Sequence, residues 1–334
     1  MPGIGIISNA NARLNKMSPK LKDSLNFILG RRGDVVSTYT LDDVTQAVSE
    51  FKRYEVDIIA ISGGDGTAHR TLEKLISGYG GDPLPPILLL PSGTQNMVPK
   101  SFGITGNSIS TMILTQTRYM HNLPLTTVKR NLLRVNGHYS FMFGLGISTR
   151  FLEAHYARGT SHWHAMTLLG SYMVDALKGG DTAMRLTAPI PMDISINGQQ
   201  PVHEDKIHTV FCSFAEELAL RFRCFPRAGW QEGMFESLLL DAGMTQTVRA
   251  MPFLWAGSLK ELPGIRRNLL KTMDIELQSP ECYTLDGEIY PAVTSLHLES
   301  GPELEFIIPR LTPLDRAKKI RSRKIGPWGR SFYV

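Results

Sequence analysis

Val56-Asp57-Ile58-Ile59-Ala60-Ile61-Ser62-Gly63-Gly64-Asp65-Gly66-Thr67 runs from an apolar segment into a glycine turn, and the helical pattern after it begins at Ala68. A strand, a turn carrying one acid and a helix are predicted in succession. Adjacent glycines let backbone come close to a ligand, and a first helical turn offers N–H donors and positive potential to an anion. An Asp inside such a turn repels a bare phosphate unless a cation lies between them, so the turn points to a magnesium-bound nucleotide. The same residues also suit a tight strand-to-helix connection in which Asp65 or Thr67 caps the helix.

A second segment of the same kind lies downstream. Pro85 to Leu90 form a short apolar run, followed by Pro91-Ser92-Gly93-Thr94-Gln95-Asn96. In a parallel sheet the carboxyl ends of neighbouring strands face one crevice, so two glycine and hydroxyl turns at successive strand ends converge on one ligand. Over the first 125 residues, apolar runs (Ile4 to Ile7, Val35 to Tyr39, Val56 to Ile61) alternate with helical patterns (Leu21 to Leu29, Val44 to Phe51), which predicts a parallel α/β sheet. Thr40 with Asp42 and Asp43 starts one of those helices, and the helix after Thr67 is predicted to stop at Gly78.

Beyond Pro124 the texture changes. Leu132 to Val135 and Tyr139 to Phe143 read as a hairpin on Asn136-Gly137. Met192 to Asn197, Thr209 to Phe214, Phe235 to Leu240, Asp274 to Leu277, Leu296 to Leu298 and Leu304 to Ile308 continue the strand register. A mainly antiparallel β-sandwich is predicted. One helical stretch, from Phe151 through Ala165 to Leu177, interrupts it and carries His155, His162, Trp163 and His164. No acid stands at ligand spacing from those histidines, so an aromatic amphipathic helix is the preferred reading over a metal site. The expected division is 1–125 for an α/β domain, 126–310 for a β-rich domain and 311–334 for a basic tail.

The two turns, together with Leu285-Asp286-Gly287-Glu288 some two hundred residues later, resemble the diacylglycerol kinase catalytic-domain family, which includes diacylglycerol, sphingosine and ceramide kinases and bacterial lipid kinases. The three motifs occur in the family's order and span most of the chain. The resemblance implies a kinase with an α/β nucleotide domain of NAD kinase/diacylglycerol kinase type and a β-sandwich lipid domain. It implies ATP and Mg²⁺, with Asn9, Thr38, Gly63, Gly64, Asp65, Gly66, Thr67, Gly93 and Thr94 toward the nucleotide and Asp65 orienting the metal. Asp286 and Glu288 are the candidate carboxylates for the acceptor proton, because phosphorylation of an alcohol requires a base within hydrogen-bond reach. On its own, Leu-Asp-Gly-Glu is also a good hairpin turn.

The chain departs from the family in three places. Ser8-Asn9-Ala10-Asn11-Ala12 stands where an Asn-Pro-x-Ser-Gly loop is usual. His69-Arg70 follows the glycine turn where a polar residue and Glu are common. Gln231-Glu232-Gly233 is the nearest counterpart of a structural metal loop, leaving Glu232 as its one candidate ligand. NAD kinase shares the Gly-Gly-Asp-Gly-Thr turn and is the rival enzyme; its later Asn-Glu and glycine-rich segments are not found here. A catalytically silent lipid- or nucleotide-binding relative is the rival from another class.

Composition bounds these readings. The 334 residues carry a formal charge of +5, and the excess gathers in Arg316, Lys318, Lys319, Arg321, Arg323, Lys324 and Arg330. That tail reads first as a solvated terminus and second as an attachment to an anionic membrane. No zinc-finger, helix-turn-helix or aromatic RNA-binding signature accompanies the charge, so nucleic acid is not expected as a partner. Cys212, Cys224 and Cys282 match no zinc spacing and read as packing residues. Without a run long enough to span a bilayer or a leader with a cleavage site, the chain is expected in the cytoplasm, peripheral on the inner face of a membrane, with a membrane-presented lipid as substrate and a homodimer compatible.

Overall fold

The computed structural model describes residues 3–18, 20–93, 96–101, 104, 106–158, 167–168, 170–172, 175, 180–216, 222–308, 320–326 and 329–333. Two compact units divide the chain: Met1–Arg130 with Glu303–Val334, and Asn131–Pro302.

The first unit opens with β1 (Ile4–Asn9), α1 (Arg13–Met17), α2 (Lys20–Leu29), β2 (Gly33–Thr38), α3 (Leu41–Arg53), β3 (Ile58–Gly63), α4 (Asp65–Tyr79) and β4 (Ile87–Pro91). It continues with α5 (Met97–Ser101) and α6 (Ser108–Met120) and runs into β5 (Leu125–Val135). The strands pair in parallel in the order β2, β1, β3, β4. Every residue of β3 and β4 is buried, as a sheet covered on both faces requires. Ile4, Ile6, Ile58, Ala60, Leu88 and Leu90 share a core with Leu25 and Leu29 of α2 and Met112 and Tyr119 of α6. On the other face Gly5 lies against the ring of Phe51 in α3, where a Cβ would stand 2.6 Å from the ring.

Helix α3 begins in a full capping box: the Thr40 hydroxyl accepts from Asp43 N at 3.2 Å, and the Asp43 carboxylate accepts from Thr40 N at 3.0 Å and Tyr39 N at 2.8 Å. Helix α4 runs one residue past the expected stop at Gly78. Val48 of α3 fills the space beside Gly78, 2.6 Å from a notional Cβ, so that glycine serves helix contact, and the left-handed cap falls on Gly80 at φ +58°. Residues 97–120, for which the sequence suggests no element, supply α5 and α6. Asn107 caps α6, its Oδ1 accepting from Ser110 N at 2.8 Å.

The second unit takes the rest of β5 and then β6 (His138–Ser140), β7 (Met142–Gly146), α7 (Ile147–Arg158), α8 (Asp181–Leu186), β8 (Met192–Ile196), β9 (Val202–Glu204), β10 (Thr209–Ser213) and β11 (Phe235–Leu240). There follow α9 (Met244–Ala256), β12 (Ile265–Leu270), β13 (Thr272–Leu285) and β14 (Glu288–Ile307). Its pairings are antiparallel throughout the described ladders: β12 to β11, β11 to β10, β10 to β7, β7 to β13, and β13 to both β14 and β8. Strand β13 changes partner along its length, from β8 at residues 273–277 to β7 at 283–285, across register shifts between Glu276 and Tyr283. A single apolar core draws on all these strands, with Phe143, Met192, Val210, Phe235, Ile275 and Leu298 at its centre.

The boundaries differ from 125/126 and 310/311. Strand β5 is continuous: Leu125–Val128 pairs with β15 (Ile320–Gly326) and Leu133–Val135 with β6. The division therefore falls inside a strand, where composition does not change. Residues 303–308 return to the first unit, with Phe306 beside Ile87 of β4. The basic C-terminal segment is also corrected from a loose tail, since β15 and β16 (Gly329–Tyr333) form a hairpin laid on β5. A ladder on that edge satisfies backbone groups that a solvated tail would leave to water. Arg316, Lys318 and Lys319 lie outside the described residues.

Candidate functional site

In the first unit the ends of β1, β3 and β4 bring three turns together. Gly63 closes β3, and Gly64 precedes α4 without a side chain to cap it. A Cβ on Gly93 would stand 2.4 Å from the Gly64 Cα, and one on Gly63 would stand 2.4 Å from the Thr67 Cβ. Contact between the two turns thus demands glycine at 93, a Cβ on Gly64 would press on Gly93 Cα at 3.2 Å, and Gly63 leaves room for Thr67 within its own turn. Ser92 N donates to Gly63 O at 2.9 Å across the pair. From the third turn, Asn9 Nδ2 donates to the Thr67 hydroxyl at 2.7 Å, while Asn9 Oδ1 accepts from Asn11 N at 2.8 Å.

Beneath the turns lies a buried hydroxyl chain. Ser62 and Ser92 share a hydrogen bond at 3.0 Å, Ser92 and Ser108 another at 3.1 Å, and Ser108 donates to Pro91 O at 3.0 Å. Asn15 Nδ2 donates to Asn9 O at 2.7 Å and to Ser8 Oγ at 3.3 Å. Asn96, at φ +50°, accepts from Gly93 N at 2.8 Å and donates back to Gly93 O at 3.0 Å. Asn15 and Ser108 belong to none of the three motifs, and Asn96 closes the second of them without an assigned role. Asn96 alone had a signal, as an Asn suited to left-handed backbone after a glycine turn.

Asp65 opens α4 and accepts from Val98 N at 2.9 Å, so its carboxylate also fastens the segment after β4. Thr38, predicted beside the nucleotide, is buried at the end of β2 and donates to Ser8 O at 3.4 Å. Thr94 and Gln95 lie outside the described residues. The structure therefore gathers Asn9, Gly63, Gly64, Asp65, Gly66, Thr67 and Gly93 around the N-terminus of α4, where a helix leaves N–H groups without intrahelical partners.

Asp286 and Glu288 belong to the second unit. Asp286 and Gly287, at φ +50° and +88°, make the two-residue turn between β13 and β14. The buried Asp286 carboxylate accepts from Phe141 N through both oxygens, at 3.1 and 3.0 Å, and from Met142 N at 3.0 Å. Asp286 N donates to Met142 O at 3.0 Å. From α7 the Tyr156 hydroxyl donates to Gly287 O at 2.6 Å. Burial, and secondarily the charge of Glu288, raise Tyr156 above the usual phenol range. Tyr156 is 131 residues from Gly287 in sequence, and no local pattern betrays the contact. Glu288 is half-buried, pairs through its backbone with Leu285, and its carboxylate makes no hydrogen bond or ion pair among the described residues.

Glu232 is exposed in the turn before β11, away from any cluster of ligands. Among the described residues no three His, Cys, Asp or Glu side chains gather as a metal cage. Mg²⁺ seldom needs one, since it is usually held by one or two carboxylates together with nucleotide phosphates. One carboxylate, Asp65, at an uncapped helix N-terminus fits that mode. Of the histidines, His155 is buried on α7, and His162 and His164 lie outside the described residues. Cys212 and Cys224 are buried, and burial pushes the Cys224 thiol up to about 12, as suits packing residues. Among the described residues no helix is long and apolar enough to cross a membrane.

Residues 4–126 match the family model described as the diacylglycerol kinase catalytic domain. No curated protein matches the chain. Among solved structures, a diacylglycerol kinase of Bacillus anthracis str. Sterne is similar with a TM-score of 0.62 at 16% identity, over 93% of this chain and 97% of that one. A second structure from the same organism, described only provisionally as a diacylglycerol kinase, gives a TM-score of 0.66 at 18% identity over the same shares. At such identities the structures speak for the fold, while the sequence match speaks for the N-terminal unit. The chain is thus similar to the diacylglycerol kinase catalytic-domain family, in sequence over residues 4–126 and in fold over nearly its whole length.

Proposed function

We propose that the protein is an ATP-dependent lipid kinase that transfers the γ-phosphoryl group to a hydroxyl of a diacylglycerol-, ceramide- or sphingoid-type lipid presented by a membrane surface. The observation that carries this reading is the meeting of three strand-end turns at the uncapped start of α4, with Gly64 and Gly93 in backbone contact. Oriented N–H groups at such a site favour phosphate oxygens, and phosphoryl transfer demands chiefly positioning and charge neutralisation. Mg²⁺ bound with the nucleotide supplies the neutralising charge. Asp65 is the residue that would hold it, and Asn9 fastens the Thr67 hydroxyl in the same turn.

The acceptor hydroxyl must lose a proton as its oxygen bonds to phosphorus. Of the two carboxylates on the β13–β14 turn, Asp286 has both oxygens engaged by backbone N–H groups. Glu288 is therefore assigned as the proton acceptor, and Asp286 as the residue that fixes the turn on which Glu288 stands. The test is an assay with Mg²⁺ and labelled ATP against diacylglycerol, ceramide, sphingosine and NAD in parallel. A labelled lipid is the expected product. Labelled NADP alone would move the protein to the NAD kinases, and no product from any acceptor would make it a binding protein.

A further inference from the structure

Helix α9 is apolar on two sides at its C-terminal end. Leu254 (6% exposed) enters a small core with Cys224, Phe225, Ala228, Leu238 and Leu240, and Ala250 (6%) is buried one turn earlier. Pro252, Phe253, Trp255 and Ala256 face outward, and Leu259 follows just past the cap. Trp255 is 56% exposed, Leu259 54% and Phe253 39%. A helix whose inner face already sits in a core has no structural need of an indole on the other.

This end of the helix is well built. Gly257 adopts the left-handed conformation at φ +69°; its N–H donates to Leu254 O at 3.3 Å, and Ser258 N donates to Phe253 O at 2.9 Å. That double bond pattern seals the helix and fixes the outward direction of Phe253 and Trp255. Arg267 Nη1 donates to Ser258 O at 2.7 Å and ties the cap to β12.

Charge selects the occupant. From Ala242 through Lys260 the sequence contains no acidic residue, while Arg249 and Lys260 are both exposed. The Lys260 ammonium lies 5.5 Å over the Phe253 ring. The flanking acids are Glu261, exposed, and Asp241, which is paired with Arg266. Trp and Phe beside Lys and Arg on a polar-rimmed helix end match a bilayer interface, where rings enter the headgroup region and cations meet anionic lipids.

We infer that the C-terminal end of α9, with Phe253, Trp255 and Leu259 framed by Arg249 and Lys260, is a docking surface for anionic lipid bilayers. The inference deepens the lipid-kinase reading, since a long-chain acceptor stays in the bilayer, and it rests on that reading for its purpose but not for its test.

The test is co-sedimentation of the full chain with vesicles of phosphatidylcholine alone or mixed with phosphatidylglycerol. Wild type should bind the mixed vesicles, and Phe253→Ala/Trp255→Ala and Lys260→Glu should each bind at least about tenfold more weakly. Phosphorylation of a water-soluble short-chain diacylglycerol should be the same for wild type and the double variant. Unaltered vesicle binding by the double variant overturns the proposal. So does an equal loss of activity on the soluble substrate, or a wild-type dimer in sedimentation velocity that Trp255→Glu splits. Absence of kinase activity in wild type with vesicle binding intact and lost in the variants would refute the kinase reading and leave the docking surface standing.

Discussion

At the scale of single residues, Asp286 and Glu288 stand two positions apart and carry different loads. Three backbone N–H bonds end on the Asp286 carboxylate, so replacing it with Asn turns one acceptor into a donor facing the Phe141 or Met142 amide. Asp286→Asn should lower stability by about 1–3 kcal/mol in urea unfolding, the cost of leaving buried polar groups unpaired. Glu288→Gln should leave the unfolding midpoint unchanged and lower kcat by about 10²–10⁴-fold, the usual contribution of a general base. Equal turnover in wild type and Glu288→Gln would remove Glu288 from the chemistry. Tyr156→Phe deletes the bond to Gly287 O, with an expected loss of about 0.5–1.5 kcal/mol and a fall in kcat at constant KM for ATP. A changed KM with kcat intact would argue against a role in positioning the turn.

At the scale of elements, the glycine turns act as a pair. Gly93→Ala drives a Cβ to 2.4 Å from the Gly64 Cα, a distance no packing tolerates, and both partners there are backbone. The turns must part, and nucleotide affinity should fall while the fold persists. The expected result is a KM for ATP raised about tenfold or more, with circular dichroism unchanged. An unaltered KM would mean that the junction of the turns is only a packing detail. The parallel strands, their helices and this junction were legible because buried strands read as continuous apolar runs and glycine turns leave a local signature. Helix α6 was not, since Ser108, Thr111, Thr115 and Gln116 are buried polar residues that disguise its inner face. Nor was the Tyr156 contact with Gly287, the buried serine chain, or the return of residues 303–308 to the first unit, each of which joins residues far apart in sequence. Phe253, Leu254 and Trp255 are an unbroken apolar triplet with no periodicity to orient it, and the structure divides them, with Leu254 inward and its two neighbours outward.

At the scale of the whole molecule, charge placement sets how stability follows pH. His203 bridges Asp193 at 2.6 Å and Asp205 at 2.9 Å, and His297 meets Asp274 at 2.5 Å with Glu299 nearby. Hydrogen bonds to these carboxylates raise both histidines above their ordinary 6.5. A group raised on folding stabilises fully below its unfolded value, and that contribution is lost as pH climbs through the folded one. Burial also raises Asp57, despite its bond from the Tyr119 hydroxyl, and Glu236, despite Arg227. For a carboxylate raised in this way the folded state binds the proton more tightly, so stability again declines as pH rises past the unfolded value. Asp43 works in the opposite sense, because the Tyr39 and Thr40 amides lower it. Its contribution disappears only as pH falls below 3.8 through its folded value. From pH 6.5 upward, then, the contributions of His203 and His297 wane, while His208, which burial lowers, works in the opposite sense but has given most of its gain by the time pH passes its unfolded value. Tm should be higher at about pH 6 than at about pH 8.5. The double variant His203→Gln, His297→Gln should lose most of that difference by becoming less stable at the acid end while matching wild type at the alkaline end. A wild-type Tm that rises across this interval, or a double variant with the full wild-type slope, would show that the two histidine clasps do not govern the pH response.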